Sequence, residues 1–369
     1  MARARSFPLD IAVLPMHIAV VADPRIPVPP PFYGGIERIV DMLVRGLVER
    51  SHDVTLFAHA DSDVPCRHVS YEGTEPQRLI DTLRNTASVS RLGLQRPDVV
   101  HNFGRLAYVG PLLPLSIPKI MSYQRRPPVD RVQTAGRLAA EGSFAITGCS
   151  EHITDQVRPY VPAETVYNGV PLDTYDFQAR VDDEAPLVFL GRIAPIKGPH
   201  TAVEVARRSG RQLVIAGNVP DDHASFFRER IEPYIDGEQI QYVGPVDDEE
   251  KNELLGRAAA FLMPIEWEEP FGIVMAEAMA CGTPVIGTPR GSVPEVVEDG
   301  VTGFIGDTTE DLVAAAGRID ELSRSKTRER CERLFSDRAI VEAYESLYEN
   351  MVSGTLGAKA PHSFANSAQ

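Results

Sequence analysis

The sequence is short of cysteine: Cys66, Cys149, Cys281 and Cys331 are the only four in 369 residues, and none forms a C-x-x-C pair. That scatter indicates neither a zinc site nor a disulfide framework, and it points to a reducing, cytoplasmic compartment. No uninterrupted apolar run reaches the ~18 residues needed to cross a bilayer. The stretch before Met16 has no clean apolar core, because Pro8, Asp10 and Pro15 interrupt it, so no signal peptide is read. A basic excess is also missing: the net charge is -15, the opposite of the footprint that a general nucleic-acid binder needs. The dinucleotide fingerprint G-x-G-x-x-G is absent, which argues against a dinucleotide oxidoreductase.

What is present is an ordinary globular composition, 43% apolar and 24% charged, in a chain longer than one hydrophobic core usually supports. Residues 1–165 carry 18 basic and 17 acidic side chains, so the acidic excess sits in the second half. Two halves with different electrostatics suggest two domains with different partners.

Short β-branched runs alternate with helical periodicity through both halves, the pattern of parallel α/β sheets. In the first half the pattern predicts strands at 17–22, 54–58, 99–101, 120–123, 145–147 and 165–167, with a helix over 36–50. The second half restarts at 187–190 and continues with strands at 212–216, 240–243, 260–263 and 284–287. Helices are expected there at 200–209, 225–235, 249–259 and 272–280. A last helix over 338–351 follows Ser336 or Asp337 as N-cap. The expected organisation is an extension (1–15), an N-terminal domain (16–168), a turn-rich linker (169–186), a second domain (187–335), a final helix (336–352) and an unstructured tail (353–369). Two doubly wound domains would face each other across a cleft, and ligand-binding motifs should follow strands.

Three motifs do. Tyr33-Gly34-Gly35-Ile36-Glu37-Arg38 opens the first helix, where glycines permit close approach and the helix N-terminus favours an anion; the plainer reading is a helix-start turn. Gly191-Arg192-Ile193-Ala194-Pro195-Ile196-Lys197-Gly198 follows a strand, and its guanidinium and ammonium suit a diphosphate; the plainer reading is two solvated cations. Glu268 to Pro284, E-E-P-F-G-I-V-M-A-E-A-M-A-C-G-T-P, sets Glu269 before a helix and Glu277 inside it. Carboxylates accept hydrogen bonds from hydroxyl-rich ligands such as sugars and riboses. The alternatives are an exposed loop acid for Glu269 and a buried Arg or Lys pair for Glu277.

These motifs, together with G-S-V-P-E-V-V-E-D-G-V-T-G-F, resemble those of the retaining, nucleotide-sugar-dependent glycosyltransferases of family 4. The resemblance runs from about Met16 to Met351 and implies the GT-B fold, two Rossmann-like doubly wound parallel-sheet domains facing across a cleft. It implies that Arg192 and Lys197 hold the donor diphosphate, that Glu269 contacts the donor sugar and Glu277 the ribose. Phe271, Gly272, Ile273 and Val274 would face sugar and phosphate, Gly34 and Gly35 the phosphates and acceptor, and Gly217 and Val246 the base. It further implies no cofactor, no metal and no protein nucleophile. The donor would be a nucleoside diphosphate sugar of glucose or mannose type, with UDP or GDP as product. A hydroxyl acceptor on a glycan, glycolipid or small natural product completes the reaction. A nucleotide-sugar epimerase and a non-catalytic sugar-nucleotide-binding protein are the rival readings.

The chain departs from the family at His101-Asn102-Phe103, where many members carry His-x-His. His101 is kept among the catalytic candidates. Asn102, Tyr123, Arg125 and Arg126 are candidates on the acceptor side, the two arginines for an anionic acceptor or a membrane surface at the inner face. Asp61-Ser62-Asp63 resembles a metal-binding D-x-D but sits in a polar loop and is read as a solvated turn.

Overall fold

A computed structural model describes residues 14–31, 34–75 and 77–355. Most of the expected N-terminal extension, Tyr33 of the glycine motif and the tail beyond Thr355 lie outside the described residues.

The first sheet has seven parallel strands: β1 (His17–Val21), β2 (Asp53–Ala58), β3 (Arg67–Ser70), β4 (Val99–Asn102), β5 (Lys119–Tyr123), β6 (Phe144–Gly148) and β7 (Ala163–Thr165). They are ordered β3-β2-β1-β4-β5-β6-β7. The second sheet has six: β8 (Leu187–Leu190), β9 (Leu213–Ala216), β10 (Ile240–Gly244), β11 (Ala260–Met263), β12 (Val285–Gly287) and β13 (Gly303–Ile305), ordered β10-β9-β8-β11-β12-β13. The strands β8 and β11 are apolar along their whole length and β1 is apolar after His17, as sheets covered on both faces favour; Ile18 to Val21 and Leu187 to Val188 are fully buried. In each sheet the strand order reverses beside the first strand, at β1/β4 and at β8/β11. A ligand crevice is expected outside the carboxyl ends of the strands at such points.

The two domains share one apolar cluster. Tyr123, Ile146 and Cys149 of the first sheet join Phe261, Phe271 and Met275 of the second. The segment between the sheets is a packed strap: Val170 bridges Ser336, and Tyr175 is buried. The last helix, Asp337–Val352, is capped by Ser336, whose Oγ accepts the Ala339 N–H at 3.1 Å. It lies against the Gly35–Glu49 helix, where a Cβ on Gly46 would come 2.5 Å from Val341 Cγ2. Its Tyr344, Leu347 and Tyr348 enter the core of the first sheet. The buried Glu345 anchors it there, pairing with Arg50 at 2.6 Å and hydrogen-bonding His52 Nε2 at 2.8 Å.

Several elements differ from the sequence expectation. β7 ends at Thr165, and Tyr167 instead leaves the sheet to pack against Phe271 and Phe335 at ring distances of 6.1 and 5.5 Å. The expected helix over 225–235 stops at Arg230 and continues as a 3-10 turn, because Pro233 cannot continue an α-helix. The edge strands β3 and β13 and the helices Leu79–Ser90, Val129–Leu138, Thr309–Ala316 and Arg324–Leu334 were not expected.

Candidate active site

Lys197 sits on the turn that follows β8, and the turn is fixed by the next residue. Gly198 has φ +72°, and a Cβ there would lie 1.9 Å from the Pro264 carbonyl oxygen, so only glycine lets the β8 loop seat against the β11 loop. That contact aims Lys197 across the switch point. Its Nζ lies 2.5 Å from Glu269 Oε2, and the Trp267 indole N–H donates to the same oxygen at 3.0 Å. The ammonium also stands 4.8 Å from the centre of the Trp267 ring, within cation–π range. Glu269 is held from below by Ser292, whose N–H donates to the Glu269 carbonyl at 3.0 Å.

Three residues after Glu269, Gly272 at φ +73° caps the start of the Ile273–Ala280 helix. The N–H groups of its first turn lack acceptors in a preceding helical turn. The Gly35–Glu49 helix of the other domain starts opposite: a Cβ on Gly35 would be 3.4 Å from Ile273 Cδ1. Two helix N-termini and the Lys197 ammonium thus converge, an arrangement that attracts an anion. Phe271 is buried, and Ile273 and Val274 are half-buried at the rim.

Glu277 repeats the chemistry of Glu269 one turn deeper. Its Oε1 accepts from Lys251 Nζ at 2.7 Å and from the Tyr175 hydroxyl at 2.9 Å, and Lys251 stands 5.6 Å from the Tyr175 ring. In both clusters a lysine and an aromatic donor share one carboxylate oxygen. Among the described residues the other oxygen, Glu269 Oε1 or Glu277 Oε2, takes no hydrogen bond. Lys251 also pairs with Asp248 at 3.0 Å, and Asp248 with Arg38 of the first domain at 2.9 Å. Burial opposes charge on Lys251, but the carboxylates of Glu277 and Asp248 raise its pKa above the ordinary lysine value. Burial, reinforced by the Glu277 carboxylate, pushes the Tyr175 phenol far up, so it remains a donor at neutral pH.

Arg192 lies on the same loop as Lys197, exposed and, among the described residues, without an ion pair. Gly217 joins three strand ends: its N–H donates to the Gly244 carbonyl at 2.8 Å, its carbonyl accepts the Tyr242 hydroxyl at 2.8 Å, and a Cβ would lie 1.9 Å from the Gly191 oxygen. Val246 is half-buried beyond it. Gly34 lies under Glu37, since a Cβ would be 2.9 Å from Glu37 Oε2.

His101 is not brought to this group. It is fully buried, with Nδ1 2.6 Å from the Tyr348 hydroxyl and Nε2 2.6 Å from Ser122 Oγ. Burial lowers its pKa to about 3, so it is neutral. Phe103 and Tyr344 pack on its ring at 4.2 and 4.7 Å, and no surface remains for a substrate. Its two ring nitrogens tie the last helix to the first sheet instead. Asn102 is likewise consumed by the fold, closing the turn after β4 through the Gly104 N–H at 2.9 Å and the Arg105 carbonyl at 3.0 Å. Tyr123 is buried with its hydroxyl unpartnered, as is Gln124 Oε1, and Arg125 and Arg126 beside them are exposed. Lys251, Tyr175 and Trp267 were missed. Lys251 lies in a helix whose pattern reads as a solvated face, and Tyr175 lies in the turn-rich strap.

These features define a GT-B-type fold of two parallel-sheet α/β domains. The family described as Glycosyltransferase Family 4 matches residues 33–174, and Glycosyl transferases group 1 matches residues 173–335. Spore coat protein SA of Bacillus subtilis (strain 168) is 26% identical over 90% of this chain and 99% of its own length. The putative glycosyltransferase YtcC of the same organism is 27% identical over 92% and 93%. The crystal structure of AviGT4, a glycosyltransferase involved in avilamycin A biosynthesis, superposes with a TM-score of 0.70 at 26% identity, covering 92% of this chain and 99% of that one. The chain belongs to the family-4-type glycosyltransferases.

Proposed function

We propose that the protein moves a hexosyl group, of glucose or mannose type, from a nucleoside diphosphate sugar to a hydroxyl acceptor with retention at the anomeric carbon. The observation that carries this reading is the pair of glutamates, each with one oxygen held by a lysine and an aromatic donor and the other open. An open carboxylate oxygen beside a fixed cation suits a hydroxyl next to a phosphate. Glu269 would accept a donor-sugar hydroxyl and Glu277 a ribose hydroxyl. Arg192, Lys197 and the helix start at Gly272 would stabilise charge developing on the leaving diphosphate. Gly217 and Val246 would border the base. In a front-face reaction the departing diphosphate oxygen takes the acceptor proton, so no protein nucleophile and no metal are invoked.

A thermal-shift panel of UDP, GDP, ADP, TDP and NAD on wild type and Lys197→Ala tests this. A ligand at about a hundred times its dissociation constant adds ~2.7 kcal/mol to the folded state, enough to move the melting temperature by a few degrees. The expected result is a shift with one nucleoside diphosphate that Lys197→Ala abolishes. A shift with NAD alone, or with none, removes the reading. Nucleotide release that depends on an added acceptor separates a transferase from an epimerase or a passive binding protein.

The acceptor side carries a second proposal, that the first domain meets an anionic surface in the cytoplasm. All four cysteines are free, as a reducing compartment favours. No helix among the described residues is long and apolar enough to cross a membrane. The Leu79–Ser90 helix instead exposes Leu79, Ile80 and Leu83 beside Arg78 and Arg84, the make-up of an interfacial helix. Co-sedimentation with anionic but not neutral vesicles, lost in Leu83→Asp, is expected; equal recovery with both vesicle types discards it. For an anionic acceptor, charge reversal at Arg125 and Arg126 should weaken acceptor affinity.

A further inference from the structure

The Lys197 ammonium, 2.5 Å from Glu269 Oε2, would divide its charge between that carboxylate and a diphosphate, and the two anions would repel each other across it. Glu269 is 7% exposed, and a carboxylate so placed needs its partner. With Lys197 shared with a phosphate, Glu269 Oε2 keeps the Trp267 indole N–H at 3.0 Å and only part of the ammonium's charge. A ligand consisting of the nucleoside diphosphate alone brings nothing to repair that loss. A ligand that continues into a sugar brings hydroxyl donors to the same carboxylate.

From this competition we infer that the Lys197, Glu269 and Trp267 cluster is a selectivity device, which makes the crevice prefer a nucleoside diphosphate bearing a sugar over the bare nucleoside diphosphate. The inference rests on the reading that Lys197 binds the diphosphate. It gives Glu269 two opposed effects: the carboxylate weakens binding of the bare diphosphate by competing for Lys197, and strengthens binding of the sugar-bearing form. Product therefore leaves more readily than substrate, because transfer of the sugar removes the hydroxyl donors that offset the shared Lys197 charge at Glu269. Specificity arises here from a penalty against the wrong ligand as much as from contacts to the right one.

Trp267 is the only tryptophan in the chain, and the ammonium stands 4.8 Å from its ring centre, so intrinsic fluorescence reports displacement of Lys197. The experiment titrates wild type, Glu269→Gln and Lys197→Met with UDP and GDP and with UDP-glucose and GDP-mannose. Glu269→Gln keeps the shape and removes the competing charge. It is expected to bind the bare diphosphate about tenfold more tightly than wild type and to lose most of the preference for the sugar-bearing form. Unchanged or weaker binding of the bare diphosphate by Glu269→Gln, with Lys197→Met losing it, overturns the device and leaves the diphosphate site standing. Bare-diphosphate affinity unchanged in Lys197→Met overturns both readings together. Should Glu269→Gln fail to fold, Trp267→Phe provides the opposite sign by calorimetry. Deleting the indole N–H makes Glu269 depend more on Lys197, so the bare form should weaken more than the sugar-bearing form, and an equal loss in both discards the inference.

Discussion

Lys251 sets its ammonium 2.7 Å from Glu277 Oε1 while the side chains are only 12% and 10% exposed. Removing one member of such a pair strands the other charge. Lys251→Met is therefore expected to destabilise the protein by roughly 3 kcal/mol. The double variant Lys251→Met with Glu277→Gln should recover most of that loss. Melting temperatures of the four members of the cycle measure the coupling; a double variant no more stable than Lys251→Met would show that the two groups act independently.

Backbone geometry sets the next expectation. At φ +72° and with the Pro264 carbonyl 1.9 Å from where a Cβ would be, Gly198→Ala must both strain its own backbone and push the β8 loop off the β11 loop. The strain alone is worth ~1–3 kcal/mol. Because Lys197 precedes it, diphosphate affinity should fall with stability. Gly210, also at φ +73° but with open space around its Cβ position, provides the control: its alanine variant should lose stability only and keep nucleotide binding.

The fold was legible where the chain is apolar in runs. The strands at 187–190 and 260–263 were placed to the residue because they are buried on both sides. The polar edge strand Arg67–Ser70 and the helix Arg324–Leu334 were not, since the first has no fully buried residue and the second buries only Thr327 and Cys331. Such elements are fixed by tertiary contacts that leave no periodic trace. At the site, the resemblance named Lys197, Glu269 and Glu277. It could not show that the glutamates already hold lysines, because Lys251 and Tyr175 reach Glu277 from 26 and 102 residues away. His101 is a related case: motif position put it at a strand end, and the rings of the last helix close over it.

That burial has a pH signature. With its folded pKa near 3 against an ordinary 6.5, His101 is neutral in both states above about pH 6.5. As the pH falls, the unfolded chain takes up a proton that the folded one refuses. Stability is thus full above the ordinary value and declines as pH falls from there toward 3. Each unit costs ~1.4 kcal/mol, so moving from pH 7 to 5.5 should cost the wild type on the order of 1 kcal/mol through this residue. His101→Gln, which can still bond to the Ser122 and Tyr348 hydroxyls, should be less stable at pH 7 but lose this part of the slope. Urea denaturation at both pH values measures it, and an unchanged slope would assign the acid sensitivity elsewhere.

Arg324 ties down the strap that carries Tyr175, beside Arg328, whose NH1 donates to the Tyr175 carbonyl at 3.2 Å. Arg324 Nε donates to the Gln178 carbonyl at 2.6 Å, NH1 to Ala258 at 2.7 Å, and NH2 to Gly256 at 2.9 Å and to Thr283 Oγ1 at 2.8 Å. Burial lowers its pKa to about 10, which leaves it charged at neutral pH, its charge spread over carbonyl dipoles instead of a carboxylate. Lysine cannot reproduce this, because one ammonium cannot span four acceptors that a planar fork reaches together. Arg324→Lys and Arg324→Met should each cost ~3–5 kcal/mol, the range for leaving buried charged hydrogen bonds unmade. Arg257, whose ion pair with Glu253 is as short at 2.6 Å but 77% and 57% exposed, should be replaceable by alanine with no measurable change. Urea midpoints for the three variants decide the matter: if Arg257→Ala costs as much as Arg324→Met, distance governs these contacts, and if only the Arg324 variants fall, burial does.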